Sequence, residues 1–137
     1  MKLALISVVV LLALAGGYLA YAALIANPRV AQELRDHPDG ARARKVMLIT
    51  LPSGRTIPVN YLREGDVVYA GADGRWWREL RGQGARVELL IRGQVLSGIG
   101  RAVEDEPDHR ADVFSRLRPT APKMFGTLIQ VELAPGA

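Results

Sequence analysis

Residues 3–26 contain no charged side chain, and 24 residues at about 1.5 Å each make about 36 Å of helix, enough for a hydrocarbon layer of about 30 Å. This run predicts a transmembrane anchor over 1–26. A cleaved secretory signal, for which Ala20-Tyr21-Ala22 offers a small-residue site, normally has a shorter apolar stretch of about 7 to 15 residues. Tyr18 and Tyr21 suit the membrane interface. Residues 27–43 read as a juxtamembrane connector, with Pro28, a helical turn over 30–35 and the turn cluster His37-Pro38-Asp39-Gly40. The pattern then changes to a period of two. Strands are predicted over 45–51, 56–62, 67–72, 86–91, 94–103 and 127–133. Pro52-Ser53-Gly54-Arg55, Glu64-Gly65-Asp66 and Arg92-Gly93 supply turns, Gly82 and Gly84 end a short helix over 76–81, and a second helix covers 107–117 with Pro107 in its first turn. The order β-β-β-α-β-β-α-β predicts a mainly β domain over 44–134, a small antiparallel barrel with peripheral helices. Leu96, Gly98, Gly100 and Ala102 share one face of the fifth strand. Small residues there mark a barrel corner or a close approach by a ligand.

Composition narrows the chemistry. In 137 residues, 49% hydrophobic and 23% charged, there is no cysteine and only His37 and His109. That composition excludes intrinsic disorder, disulfide scaffolds, thiol catalysis and iron–sulfur or Cys-ligated zinc sites, and leaves too few histidines for a His-ligated catalytic metal. The net charge of +4 is mostly juxtamembrane. Lys2 precedes the apolar run, and Arg29, Arg35, Arg42, Arg44 and Lys45 follow it, which orients the domain to the cytoplasm in a single-pass cell-membrane topology. From Val46 onward 12 basic residues face 11 acidic ones. The domain is near neutral, so anionic lipid, rather than nucleic acid, is the expected partner of the basic segment.

Catalytic signatures are sparse. Gly98-Ile99-Gly100-Arg101-Ala102-Val103 lacks the third glycine of a dinucleotide fingerprint and lies inside a strand; Gly82-Gln83-Gly84 is no better, and there is no Walker A sequence. His109, Asp112 and Ser115 fall on one charged helix and read as its solvated face. Glu104, Asp105, Glu106 and Asp108 read as an acidic helix start rather than a hard-cation site. Without a self-sufficient catalytic group, any enzyme here needs a cofactor to carry the chemistry.

Residues 45–133 resemble the split β-barrel family of deazaflavin-dependent nitroreductases and quinone reductases, relatives of the flavin-binding pyridoxamine-phosphate-oxidase-like barrels. The matching stretches are VMLITLPSGRTIPV at 46–59, GDVVYAGADG at 65–74, WWREL at 76–80 and the hairpin over 87–103. The resemblance implies a cofactor laid across the barrel. Its phosphate would lie at Ser53, Gly54 and Arg55 and the strand residues Thr56 and Pro58; its ring would lie beside Ala70, Gly71 and Ala72, with Trp77 and Leu80 matching the aromatic-x-x-Leu helix. Two departures stand out: Leu51-Pro52 replaces the basic residues usual before the Ser-Gly, and the loop Asp73-Gly74-Arg75 is short, with Arg75 the expected partner of Asp73. Arg78 and Arg81 are surface arginines or an extension of an anionic groove.

Two functions follow from this resemblance. One is a membrane-anchored oxidoreductase using a deazaflavin (coenzyme F420), or FMN as second choice, to pass hydride to an electron-poor acceptor such as a quinone or nitro compound. Trp76, Trp77 and Tyr61 would shape its acceptor pocket, and a homodimer would fit. The other is a non-catalytic membrane-tethered barrel that binds a cofactor or a partner protein.

Overall fold

The computed structural model describes residues 1–21, 27–120 and 126–135, and the side chains among these except at 19–21. Helix α1 spans Lys2–Tyr21 and is hydrophobic around its whole circumference. A helix without a polar face has no side to turn to water, and its large apolar side chains are exposed, Leu3 at 83% and Leu12 at 68%. Among the described residues no helix is long and apolar enough to cross a membrane. The crossing expected over 3–26 is therefore unsupported by the described residues, and 22–26 of it lie outside them.

Helix α2, Asn27–Asp36, follows with Pro28 in its first turn, where the missing N–H is no loss. The strands are β1 (Val46–Thr50), β2 (Thr56–Glu64), β3 (Val67–Ala72), β4 (Ala85–Ile91), β5 (Gln94–Val103) and β6 (Thr127–Leu133), and helix α3 is Pro107–Leu117. They form a closed antiparallel barrel in the order β1-β2-β3-β6-β5-β4, with β4 returning to β1. The segment expected as an α-helix over 76–81 is instead a 3-10 helix, Arg75–Leu80. Closed in by Gly74 and by Gly82 at φ +67°, it has room for two tight turns.

Alternation along the strands divides the molecule into an inside and two covered outer faces. Met47, Ile49, Val68, Leu89, Leu96 and Ile129 point into the barrel, and Leu80 of the 3-10 helix joins them. Outside, Leu34 of α2 packs on Leu48, while Val113 and Phe114 of α3 pack on Tyr69, Val103 and Leu128. Gly98 and Gly100 point inward. A Cβ on Gly98 would overlap the Glu132 carbonyl, and one on Gly100 would press on Leu80 and Val87 at 3.3 Å. These glycines make room for neighbouring chain, so this strand face is a packing corner.

The β4–β5 hairpin turns on Arg92 and Gly93, at φ +51° and +81°. Pro38 lies 2.8 Å from where a Gly93 Cβ would be, so glycine is required there, but Arg92 has no such reason to be arginine. Asparagine tolerates the left-handed region better. Arg92→Asn is expected to stabilise the protein by about 0.5 kcal/mol, read as a higher urea midpoint at unchanged slope.

Candidate functional site

The barrel wall opens between β2 and β3. Their ladder runs from Glu64↔Val67 to Tyr61↔Ala70; beyond it, among the described pairings, Thr56 to Asn60 pair with β1 alone and Gly71 and Ala72 with β6 alone. A cleft of about 810 Å³ lies along this parting, lined by Arg55, Pro58, Asn60, Gly71, Gly74 and Trp76, with Val30 of α2 and Arg118 at its rim. That volume is in the range that holds a small organic ligand or cofactor.

The β1–β2 turn stands at one end of the cleft. Leu51 N–H donates to the Arg55 carbonyl at 2.9 Å and Gly54 N–H to the Leu51 carbonyl at 2.8 Å, with Gly54 at φ +88°, a conformation glycine adopts without steric cost. Arg55 is exposed, lines the cleft, and has no side-chain partner among the described residues. The phosphate place expected at Ser53 is filled from within: Ser53 N–H donates to Glu79 Oε1 at 3.0 Å and Ser53 Oγ to Glu79 Oε2 at 3.1 Å. Thr56 shares a hydrogen bond with Thr50, Oγ1 to Oγ1 at 2.8 Å, and does not line this cleft.

The structure separates the other expected site residues. Pro58, Gly71 and Trp76 line the cleft. Ala70 and Ala72 are 0% and 2% exposed and belong to the barrel core, as does Leu80 at 0%; the side chains of these three face inward because of strand alternation and the plugging of the barrel end. Trp77 lies outside the cleft lining, half-buried against the core, with the guanidinium groups of Arg81 and Arg78 at 4.7 and 5.8 Å from its ring. Arg81 also pairs with Glu104 at 3.1 Å, so the two arginines stack on tryptophan and on an acid instead of forming a groove. Tyr61 does not line the cleft: its O–H donates to the Ala43 carbonyl at 3.2 Å. Burial, opposed by Arg92 and Arg63, raises this phenol above its ordinary value, and it stays a protonated structural donor.

Arg118 is the residue that sequence reasoning missed. Its Nη2 donates to the Gly71 carbonyl at 2.7 Å and to Asp73 Oδ2 at 3.1 Å, and its Nη1 to Asp73 Oδ1 at 2.7 Å. The guanidinium, 5.4 Å from the Phe114 ring, thus takes the role expected of Arg75. A Cβ on Gly71 would overlap it. In sequence Arg118 is only a basic residue at a helix end, and no local pattern connects it to Asp73, 45 positions away.

Elsewhere several polar groups are engaged with neighbours. His109 Nε2 meets Gln130 Oε1 at 3.0 Å, Ser115 Oγ donates to the Asp112 carbonyl at 2.6 Å, and Asp112 pairs with Arg116 at 2.8 Å. Glu106 pairs with Arg101 at 3.2 Å. Among the described residues no polar or charged residue is buried and no group of three His, Asp or Glu could hold a metal.

No protein-family model matches the sequence, and no curated protein does. Among solved structures the chain is similar to a Listeria innocua protein assigned as a pyridoxamine 5′-phosphate oxidase, at 14% identity over 76% of this chain and 94% of that one, with a TM-score of 0.48. It is similar to general stress protein 26 of Bacillus anthracis at 16% identity over 74% and 87%, TM-score 0.46. The flavocytochrome Anf3 of Azotobacter vinelandii matches at 17% identity over 77% and 63%, TM-score 0.46.

Proposed function

We propose that this protein is a membrane-attached oxidoreductase that binds a flavin-type cofactor, a deazaflavin (coenzyme F420) before FMN, in the cleft between β2 and β3. The observation that carries this reading is the cleft itself, an opening of about 810 Å³ with Arg55, whose side chain has no partner among the described residues, at one end and Trp76 in its wall. Arg55 suits a phosphate, which a guanidinium fork grips with charge-assisted hydrogen bonds. The indole of Trp76 offers a flat apolar surface, and the β2 edge and Gly71 bring backbone close to the space between. A reduced cofactor held there by Arg55 and the cleft wall would supply hydride to an electron-poor acceptor such as a quinone or nitro compound, and would itself be oxidised. Solvent protonates the product, which fits a site without a buried acid.

Membrane attachment is part of the proposal. It draws on the uncharged run over 3–26 and on the exposed apolar surface of α1, with the basic residues that follow keeping the domain cytoplasmic and close to anionic lipid. A homodimer formed across the cofactor belongs to the same reading. One observation favours the second reading, a non-catalytic barrel: Glu79 already occupies the donors of Ser53.

Equilibrium binding of oxidised F420 and of FMN to the full chain in detergent, followed by fluorescence quenching, tests the cofactor. Micromolar binding of either, with turnover of a quinone or nitro acceptor by the reduced complex, supports the oxidoreductase; binding without turnover, or binding of neither at submillimolar concentration, leaves the non-catalytic barrel. Arg55→Ala is expected to weaken cofactor binding by about 2 kcal/mol, roughly thirtyfold, the worth of one hydrogen bond to a charged group. Unchanged affinity would remove Arg55 from the site.

A further inference from the structure

From α2 onward, the large hydrophobic side chains that stand exposed among the described residues are Val95 and Ile99, at 63% and 50%. Both point outward from β5, with Ser97 between them, and Leu90 of β4 lies beside Val95. On one side of this strip α2 packs over Leu48, and on the other α3 packs over Tyr69, Val103 and Leu128. An apolar strip left bare between two covered ones marks a docking surface. Charge identifies the occupant. Arg86, Ile99 and Glu132 make one row across β4, β5 and β6; Arg86 and Glu132 are exposed, and neither side chain has a partner among the described residues. A cation and an anion one strand to either side of an apolar residue are their own complement. A half-turn about an axis along β5 sets Ile99 against Ile99 and each Arg86 against Glu132 of the other copy. A hollow of about 430 Å³ beside Ile99, lined by Gly98, Leu133 and Pro135, gives the facing isoleucine room. We infer that the outer face of β4 and β5 is an isologous interface with a second copy of this chain, centred on Ile99 and closed on each side by an Arg86–Glu132 pair. In the closed strand order the β5–β4 seam lies opposite the parting of β2 from β3, so two barrels pair back to back with both clefts facing outward. This interface is separate from one formed across the cofactor and does not rest on the cofactor reading.

The test uses the full, cofactor-free chain in density-matched detergent, where sedimentation equilibrium is expected to show a dimer. Arg86→Glu and Glu132→Arg are each expected to raise its dissociation constant about tenfold, because either reversal sets like charges against each other on both sides of the axis. The double variant Arg86→Glu/Glu132→Arg is expected to restore the dimer, which a folding defect would not allow. The chain contains no cysteine, so a single introduced thiol locates the contact. With a short bifunctional thiol reagent, of a reach that suits facing sheets about 10 Å apart, Ile99→Cys is expected to give a covalent dimer and Asn60→Cys, on the cleft side, to remain a monomer. A monomer at every protein concentration, single reversals without effect, or cross-linking from Asn60→Cys in place of Ile99→Cys would overturn the inference. Flavin binding by a chain that stays monomeric would leave the cofactor reading standing and defeat this one. A dimer that obeys the charge reversals but binds no flavin would do the opposite.

Discussion

Leu80→Ala is expected to destabilise the protein by about 3 kcal/mol, the middle of the range for a buried leucine cut back to alanine. Leu80 is 0% exposed and is the contact through which the 3-10 helix closes the barrel end. The surroundings have little freedom to collapse into the space, because Gly100 and Val87 are held in the β4–β5 ladder. The sequence resemblance assigns Leu80 to a cofactor, and the two roles give opposite results. As a core residue it shifts the urea midpoint strongly while the folded fraction keeps most of its cofactor affinity; as a ligand contact it would lower affinity and leave the midpoint nearly in place.

Gly71→Ala is expected to cost a comparable amount, about 3 kcal/mol, through a different mechanism. Its new methyl group would overlap the Arg118 guanidinium and drive it from the Gly71 carbonyl and the Asp73 carboxylate. The Arg118 side chain is only 16% exposed, so the carbonyl of buried Gly71 would lose a charged donor that water replaces poorly. A double-mutant cycle isolates this cause. In an Arg118→Ala background the obstacle is gone, and Gly71→Ala should then cost well under half as much. Additive losses in thermal or urea unfolding would show that the methyl group is opposed by something other than Arg118.

These two residues and Glu79 show that the cleft is shaped by contacts to the barrel's own parts. Arg118 fastens the end of α3 to the loop after β3. Glu79 fastens the 3-10 helix to the β1–β2 turn. Both ties are made by charged groups at the cleft rim or at the turn that ends it, so an anionic ligand enters a site where its own kind of interaction is already in use. Arg55 stands apart from both and, with Lys45, lines the cleft as an exposed cation.

The barrel was largely legible along the chain. Strand alternation, the glycines and asparates of the turns and the Pro107 helix start are local signals, each contained in a few residues, and β3, β5, β6 and α3 lie where those signals put them. Inward and outward sides follow from the same alternation, which is why a run such as Ala70-Gly71-Ala72 could be read as a stretch but not divided: two of its residues feed the core and the third borders the cleft. The segment expected as an α-helix over 76–81 winds as a 3-10 helix of the same length, Arg75–Leu80, between Gly74 and Gly82. The cleft and its ties required the folded chain. Arg118 reaches Gly71 across 47 positions and Ser53 meets Glu79 across 26, and the parting of β2 from β3 is a property of two ladders that diverge. A charged side chain on a surface element carries no mark in sequence of which distant partner it will meet, since its partner is chosen by how the strands close around the core.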